Sequence, residues 1–160
     1  MNTHRDKIFF DVVDKEQNIM ETESLWGERS FIEYDERTAF IIKNTPFYVK
    51  NISFMDTVYA VPRVEGGYQF DGIADRSGNS TYRLMVNSGS PKFEEWWSEL
   101  QDLGCTYESG SWGDKRLYAV NVPSSSNIYD VYTVMKNGLN SGVWYVQEAH
   151  VGHDLQEKRN

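Results

Sequence analysis

Apolar positions follow two different rhythms along the chain, and the change falls near its middle. The first half holds short segments. Lys7 to Val13 reads as a strand in which Ile8, Phe9, Phe10, Val12 and Val13 run together. Met20 to Trp26 is an ambiguous strand, with Met20, Thr22, Ser24 and Trp26 on one face and Glu21, Glu23 and Leu25 on the other. Ala39 to Lys43 is clearer. Asn44-Thr45-Pro46 stops it, because Pro46 donates no ladder hydrogen bond and restricts Thr45. Thr57 to Val64 and Tyr68 to Ala74 form a hairpin across Glu65-Gly66-Gly67. This punctuation predicts a small antiparallel sheet, curled or barrel-like, over residues 1–77.

From residue 78 the pattern changes. Ser80 to Val86 alternates, with Tyr82, Leu84 and Val86 on one face. A helix follows, expected to be capped by Ser90, to take Pro91 in its first turn and to end at Gly104. Phe93, Trp96, Trp97, Leu100 and Leu103 make its apolar arc, opposite Glu95, Glu99 and Asp102. Cys105 to Glu108 reads as a short strand, Gly110 to Asp114 as a turn, and Arg116 to Val122 as the return. Asn127 caps a second helix with Asp130 in its first turn, Ile128, Val131, Tyr132 and Met135 form its buried stripe, and Gly138 is expected to end it. Val143 to Gln147 is the last strand. The order is that of a ferredoxin-like β-α-β-β-α-β sandwich over residues 78–152, with 153–160 as a polar, flexible tail. The expected fold is α+β, its two halves forming one compact unit.

Composition narrows the function classes. The chain has 160 residues and a net charge of -8, and it contains no basic run of the kind that displaces counterions from nucleic acid or anionic membranes. A basic protein partner suits this charge. The single cysteine, Cys105, excludes an intrachain disulfide and is expected to be a buried thiol. No apolar run is long enough to span a membrane and the N-terminus lacks an apolar signal core, so a cytoplasmic location is expected.

Several segments together resemble a known family. Glu21-Thr22-Glu23-Ser24-Leu25-Trp26 is followed by Asn44-Thr45-Pro46-Phe47, Asp56-Thr57-Val58 and Arg76-Ser77-Gly78-Asn79-Ser80-Thr81-Tyr82-Arg83. Leu103-Gly104-Cys105 and Val120-Asn121-Val122-Pro123 complete the series. In order and spacing it resembles the bacterial family called domain of unknown function 4265, from about Lys7 to Glu148. The resemblance implies a bacterial, intracellular protein and carries no catalytic residue with it.

Catalytic and metal motifs are missing. His150-Val151-Gly152-His153 lacks a third ligand, and neither Ser77 nor Ser80 sits in a Gly-x-Ser-x-Gly elbow. No phosphate loop or dinucleotide fingerprint occurs, so neither cofactor nor metal is expected, and the protein is read as non-enzymatic. The first expectation is an immunity protein that binds a cationic toxin domain, with Glu33, Asp35, Glu36, Glu94, Glu95, Glu99 and Asp102 as its contact surface. The alternative is a sensor or regulator that binds a small anionic ligand or nucleotide through Arg76, Ser77, Gly78, Asn79, Thr81 and Arg83, where cations flank a glycine loop whose amides could form an anion nest. Asn44 to Phe47 is expected to end a strand with Phe47 buried; a rim presenting Phe47 and Tyr48 is the other possibility.

Overall fold

Five short strands close the N-terminal half on itself in the computed structural model, which describes residues 4–32 and 37–155. They are β1 (Arg5–Val13), β2 (Ile19–Arg29), β3 (Ala39–Ile42), β4 (Thr57–Pro62) and β5 (Tyr68–Asp75), in sequence order around a barrel. Each successive pair is antiparallel. An odd number of alternating strands must meet once in the same direction, and the closing pair of β1 with β5 is parallel, through Ile8 with Tyr68 and Phe9 with Gln69. The expected antiparallel barrel is thus corrected at this one joint.

Ile8, Phe10, Leu25, Phe40, Ile42 and Val58 fill the barrel. The ambiguous segment is the strand β2. It turns Glu23, Leu25 and Gly27 inward and leaves Met20, Thr22, Ser24 and Trp26 exposed. A carboxylate therefore takes an inward position among apolar ones.

The second half is a four-stranded sheet with two helices. Strands β6 (Ser80–Asn87), β7 (Thr106–Trp112), β8 (Lys115–Val122) and β9 (Tyr145–His150) lie in the order β7-β8-β6-β9, every neighbour antiparallel. Helices α1 (Phe93–Asp102) and α2 (Ile128–Asn140) share one core with Tyr82, Leu84 and Val86 of β6 and Val120 and Val122 of β8, so both cover the same face. Large rings supply much of this core: Phe93 stacks on Tyr118 at 3.9 Å between centroids, and Trp97 meets Tyr107 edge-on at 4.7 Å.

Four local expectations change. Ser90 does not cap α1: its N–H closes a turn onto the Asn87 carbonyl at 3.1 Å, and the helix starts only at Phe93. Asn127 does cap α2, accepting from the amides of Tyr129 at 3.0 Å and Asp130 at 3.2 Å. Gly138 does not end that helix. A Cβ at this position would lie 2.4 Å from Cε2 of the Trp144 indole, so the glycine is needed for close approach and the helix runs on to Asn140. Strand β7 continues to Trp112, which pairs with Lys115, and this confines the turn to Gly113 and Asp114. Val143 and Trp144, expected in the last strand, precede β9 and lie buried in the core.

Candidate functional site

The face of the second sheet turned away from the helices carries Thr81, Arg83 and Met85 from β6, and register places Asn121 directly opposite Thr81 and Ala119 opposite Arg83. The segment from Lys43 to Asp56, which links β3 to β4, covers much of this face. Two carboxylates, one from each half, hold it down. Glu23 of β2 accepts from the backbone amides of Phe47 (2.7 Å), Tyr48 (3.0 Å) and Val49 (2.9 Å). Glu108 of β7 accepts from the Thr45 amide at 2.5 Å. Three amides converging on one buried carboxylate satisfy its oxygens with charge-assisted hydrogen bonds. Further along, the Asn51 amide donates to the carbonyl of Ala149 at 3.0 Å, tying the segment to β9.

A third carboxylate organises the seam between the halves. Asp56 is fully buried and accepts from the Ser53 amide (2.9 Å), Arg76 Nη1 (3.0 Å), the Ser77 amide (2.9 Å) and Ser77 Oγ (3.0 Å). Of the loop from Ser77 to Ser80, expected to form an anion nest, the Ser77 amide is thus committed to the protein's own Asp56, and the Asn79 amide donates to Ser77 Oγ at 3.1 Å. Asn79 donates to the Phe54 carbonyl at 2.8 Å and accepts from the Ser124 amide at 2.8 Å. Gly78 packs against Ser124, and Thr81 Oγ1 meets Ser53 Oγ at 2.7 Å. Of the six residues expected to bind an anion, Arg76 and Ser77 hold Asp56, Asn79 and Thr81 bond across to residues 52–54, and Gly78 lies against Ser124. Arg83 differs.

Arg83 is 3% exposed. Its Nη2 donates to the Val49 carbonyl and its Nη1 to Gln147 Oε1 at 3.1 Å, while Nε is buried without an acceptor. Among the described residues it forms no ion pair; the strongest influence favouring its charge comes from Glu23, held on the three amides described above. Burial pulls the guanidinium down to about 10, which leaves it charged at neutral pH. Arg83 also lines a cleft of about 320 Å³, together with Phe47, Tyr48, Trp112, Tyr145 and Gln147. Phe47 is half-buried and Tyr48 exposed, so this turn serves as a rim and does not bury Phe47 in a core.

The remaining candidates lie elsewhere. Glu94, Glu95, Glu99 and Asp102 are exposed on the outer face of α1. Glu33, Asp35 and Glu36 lie outside the described residues. Cys105 is buried, which pushes its thiol up to about 12 and suppresses the thiolate. Ser80 Oγ lies 2.6 Å from His153 Nδ1 and accepts from the amides of Gly152 (3.0 Å) and His153 (3.3 Å). With those two donors on its oxygen, the hydroxyl gives its proton to Nδ1, and Nε2–H donates to the Pro123 carbonyl at 2.8 Å. Fully buried, Ser80 clips the chain after β9 in place and has no access to substrate. Among the described residues no group of three His, Cys, Asp or Glu could hold a metal ion.

Sequence reasoning missed Glu23, Glu108, Asp56 and Gln147. Only Glu23 carried a signal, since it shares the parity of the buried Leu25.

Barrel, helix-covered sheet and carboxylate-held seam define an α+β protein in two tightly joined parts. The chain belongs to the family described as Domain of unknown function (DUF4265), whose model matches residues 23–146. It is similar in structure to a hypothetical protein from Neisseria gonorrhoeae, with a TM-score of 0.75 and 21% identity over 96% of this chain and 100% of that one, a likeness of fold alone. No curated protein matches it. No helix among the described residues is long and apolar enough to cross a membrane.

Proposed function

We propose that this is a non-enzymatic binding protein whose Arg83 cleft takes a small anionic ligand, in the manner of a sensor or regulator. One observation carries the reading: the charged Arg83, 3% exposed, lines an aromatic-rimmed cleft, makes no ion pair among the described residues and has its Nε without an acceptor. Buried polar groups without partners are rare and costly, about 1–3 kcal/mol each, and a ligand that supplies the acceptor offsets that cost. The second half is read as ferredoxin-like, which the order β7-β8-β6-β9 with both helices on one face supports. A cytoplasmic setting is part of the proposal, supported by the single buried free thiol. Nucleic acid and membranes are left out of it on the net charge of -8. A thermal-shift screen of anionic metabolites tests the reading. At least one should stabilise the wild type and lose its effect on Arg83→Gln; a screen in which no anion does so would reject the site.

A second reading, an immunity protein neutralising a cationic toxin domain, draws on the outward row of Glu94, Glu95, Glu99 and Asp102 on α1. Its test is co-expression with the product of the neighbouring gene. Protection that disappears in a Glu94→Lys, Glu95→Lys, Glu99→Lys triple variant supports it, and absence of a complex rejects it.

A further inference from the structure

The chemistry of the cleft narrows its ligand, granted that the cleft binds an anion at all. We infer that the occupant presents a single carboxylate on a compact apolar or aromatic stem, and is neither a nucleotide nor a phosphorylated metabolite. Three observations converge on this class.

The first is the number of donors. Arg83 already gives Nη1 to Gln147 and Nη2 to Val49, and its Nε is the one guanidinium nitrogen with no acceptor. Phosphate sites gather several donors, commonly loop amides or a helix N-terminus. Here the amides of Phe47, Tyr48 and Val49 in the covering segment are committed to Glu23. What remains is Arg83 with the scattered side-chain donors of Tyr48, Trp112, Tyr145 and Gln147, a set that suits one carboxylate better than a phosphate.

The second is charge. The Glu23 carboxylate acts electrostatically on the same guanidinium and favours its charge, within a chain of net charge -8. A dianion entering this field meets about twice the repulsion from Glu23 that a monoanion meets, and a larger desolvation cost, so the single charge is the better tolerated.

The third is the wall. Val12, Met85, Leu117 and Val146 give the cleft an apolar lining, and Trp112 and Tyr145 stand at its rim, 53% and 67% exposed. Rings so exposed have contact area to offer a ligand's stem. A volume of about 320 Å³ is at the small end for ligand pockets, the size of a single aromatic acid or one terminal residue of a peptide.

Two sources share this chemistry, a free organic acid and the C-terminal carboxylate of a polypeptide ending in an apolar residue. Calorimetry and amide NMR on the full chain distinguish them, with phenylacetate, phenylacetamide, phenyl phosphate and N-acetyl-glycyl-phenylalanine as probes. Phenylacetate should bind and shift the amides of Tyr48, Trp112 and Gln147, while phenylacetamide and phenyl phosphate bind at least roughly tenfold more weakly. Arg83→Gln should abolish the shifts. Tyr145→Ala, at an exposed position that leaves the fold intact, should weaken phenylacetate several-fold. Tighter binding of the dipeptide than of phenylacetate assigns the site to a chain terminus, and the reverse order to a free acid. Equal affinity for acid and amide, or indifference to Tyr145→Ala, overturns the inference. Tighter, Arg83-dependent binding of phenyl phosphate overturns it as well, yet keeps the anion-binding reading. If neither anion binds, both fail.

Discussion

Leu84 and Arg83 are neighbours on β6, 0% and 3% exposed, and they point to opposite faces of one sheet. On the Leu84 side, Tyr82, Val86, Val120 and Val122 meet the apolar stripes of α1 and α2. On the Arg83 side, Thr81, Asn121 and Gln147 lie under or beside a segment held by Glu23 and Glu108. Burial is the same and the forces are not. The helix side rests mainly on non-directional contact, and its buried polar atoms, such as the Trp144 indole N–H donating to the Met135 carbonyl, have partners. The other side rests on directional bonds and does not complete them, since both Arg83 Nε and Asn121 Oδ1 lack partners. A binding site is sought on the second face for that reason: incompletely satisfied polar groups fix orientation and chemistry where close packing fixes only shape.

The comparison breaks first if the helix side does not carry the stability. Leu84→Ala removes a side chain with no exposure from a core that α1, α2, β6 and β8 share, so a cavity should remain. Urea unfolding should show a loss of about 3 kcal/mol, within the range for buried Leu→Ala. A loss below about 1 kcal/mol would mean that this face collapses around the gap, and the contrast with the Arg83 face would fail.

Glu23→Gln probes the opposite face. The neutral amide keeps one acceptor oxygen but turns an NH₂ group toward amides that already donate, so at least one of the bonds to Phe47, Tyr48 and Val49 is lost. The Arg83 guanidinium also loses the carboxylate that most favours its charge. A destabilisation of about 2 kcal/mol is expected from lost charge-assisted bonds. Hydrogen exchange locates the effect: the amides of residues 47–49 should lose protection well before those of β6 and β8. Uniform loss across the chain would show that the covering segment is no separate element of stability.

How far the two faces were legible follows from the same forces. The helix side is written locally, in the alternation of Tyr82, Leu84 and Val86 and in helix stripes at the spacing that faces them. The Arg83 side is not, because its cover comes from residues distant in sequence and its bonds go to backbone amides, which no side-chain pattern announces. Glu23 shares the parity of Leu25 in sequence, but its role appears only once β3 and β4 place the Lys43–Asp56 segment over it. The glycine loop from Ser77 to Ser80 reads as an anion cradle, yet of its amides only that of Ser77 donates to Asp56 from within the chain, and that of Asn79 turns back to Ser77 Oγ. Segments that carried the family resemblance, those holding Glu23, Thr45, Asp56 and Arg76 to Arg83, gather around this seam, although nothing in any one of them indicated a common location. Gly138 failed for a different reason: a glycine near a helix end reads as a terminator unless the indole that packs on it is known.

The smallest expected effect concerns His150, at the end of β9 where the sheet meets the seam. Its Nε2 is buried without a partner, and burial, followed by the positive charge of Arg76, holds the imidazole below its ordinary value of 6.5, with Asp56 opposing more weakly. In the unfolded chain the ring takes up its proton as pH falls through about 6.5, while in the folded protein it resists until a lower pH. The unfolded state then binds more protons, so stability present above that pH falls as acid is added. Denaturant midpoints measured between about pH 7.5 and 5.5 should decline for the wild type and decline less for His150→Gln, above the range where carboxylates begin to titrate. Parallel slopes for the two proteins would show that the ring is as easily protonated folded as unfolded. The polar face would then be open to water at that end, and the contrast with the dry helix face would be confined to the neighbourhood of Arg83.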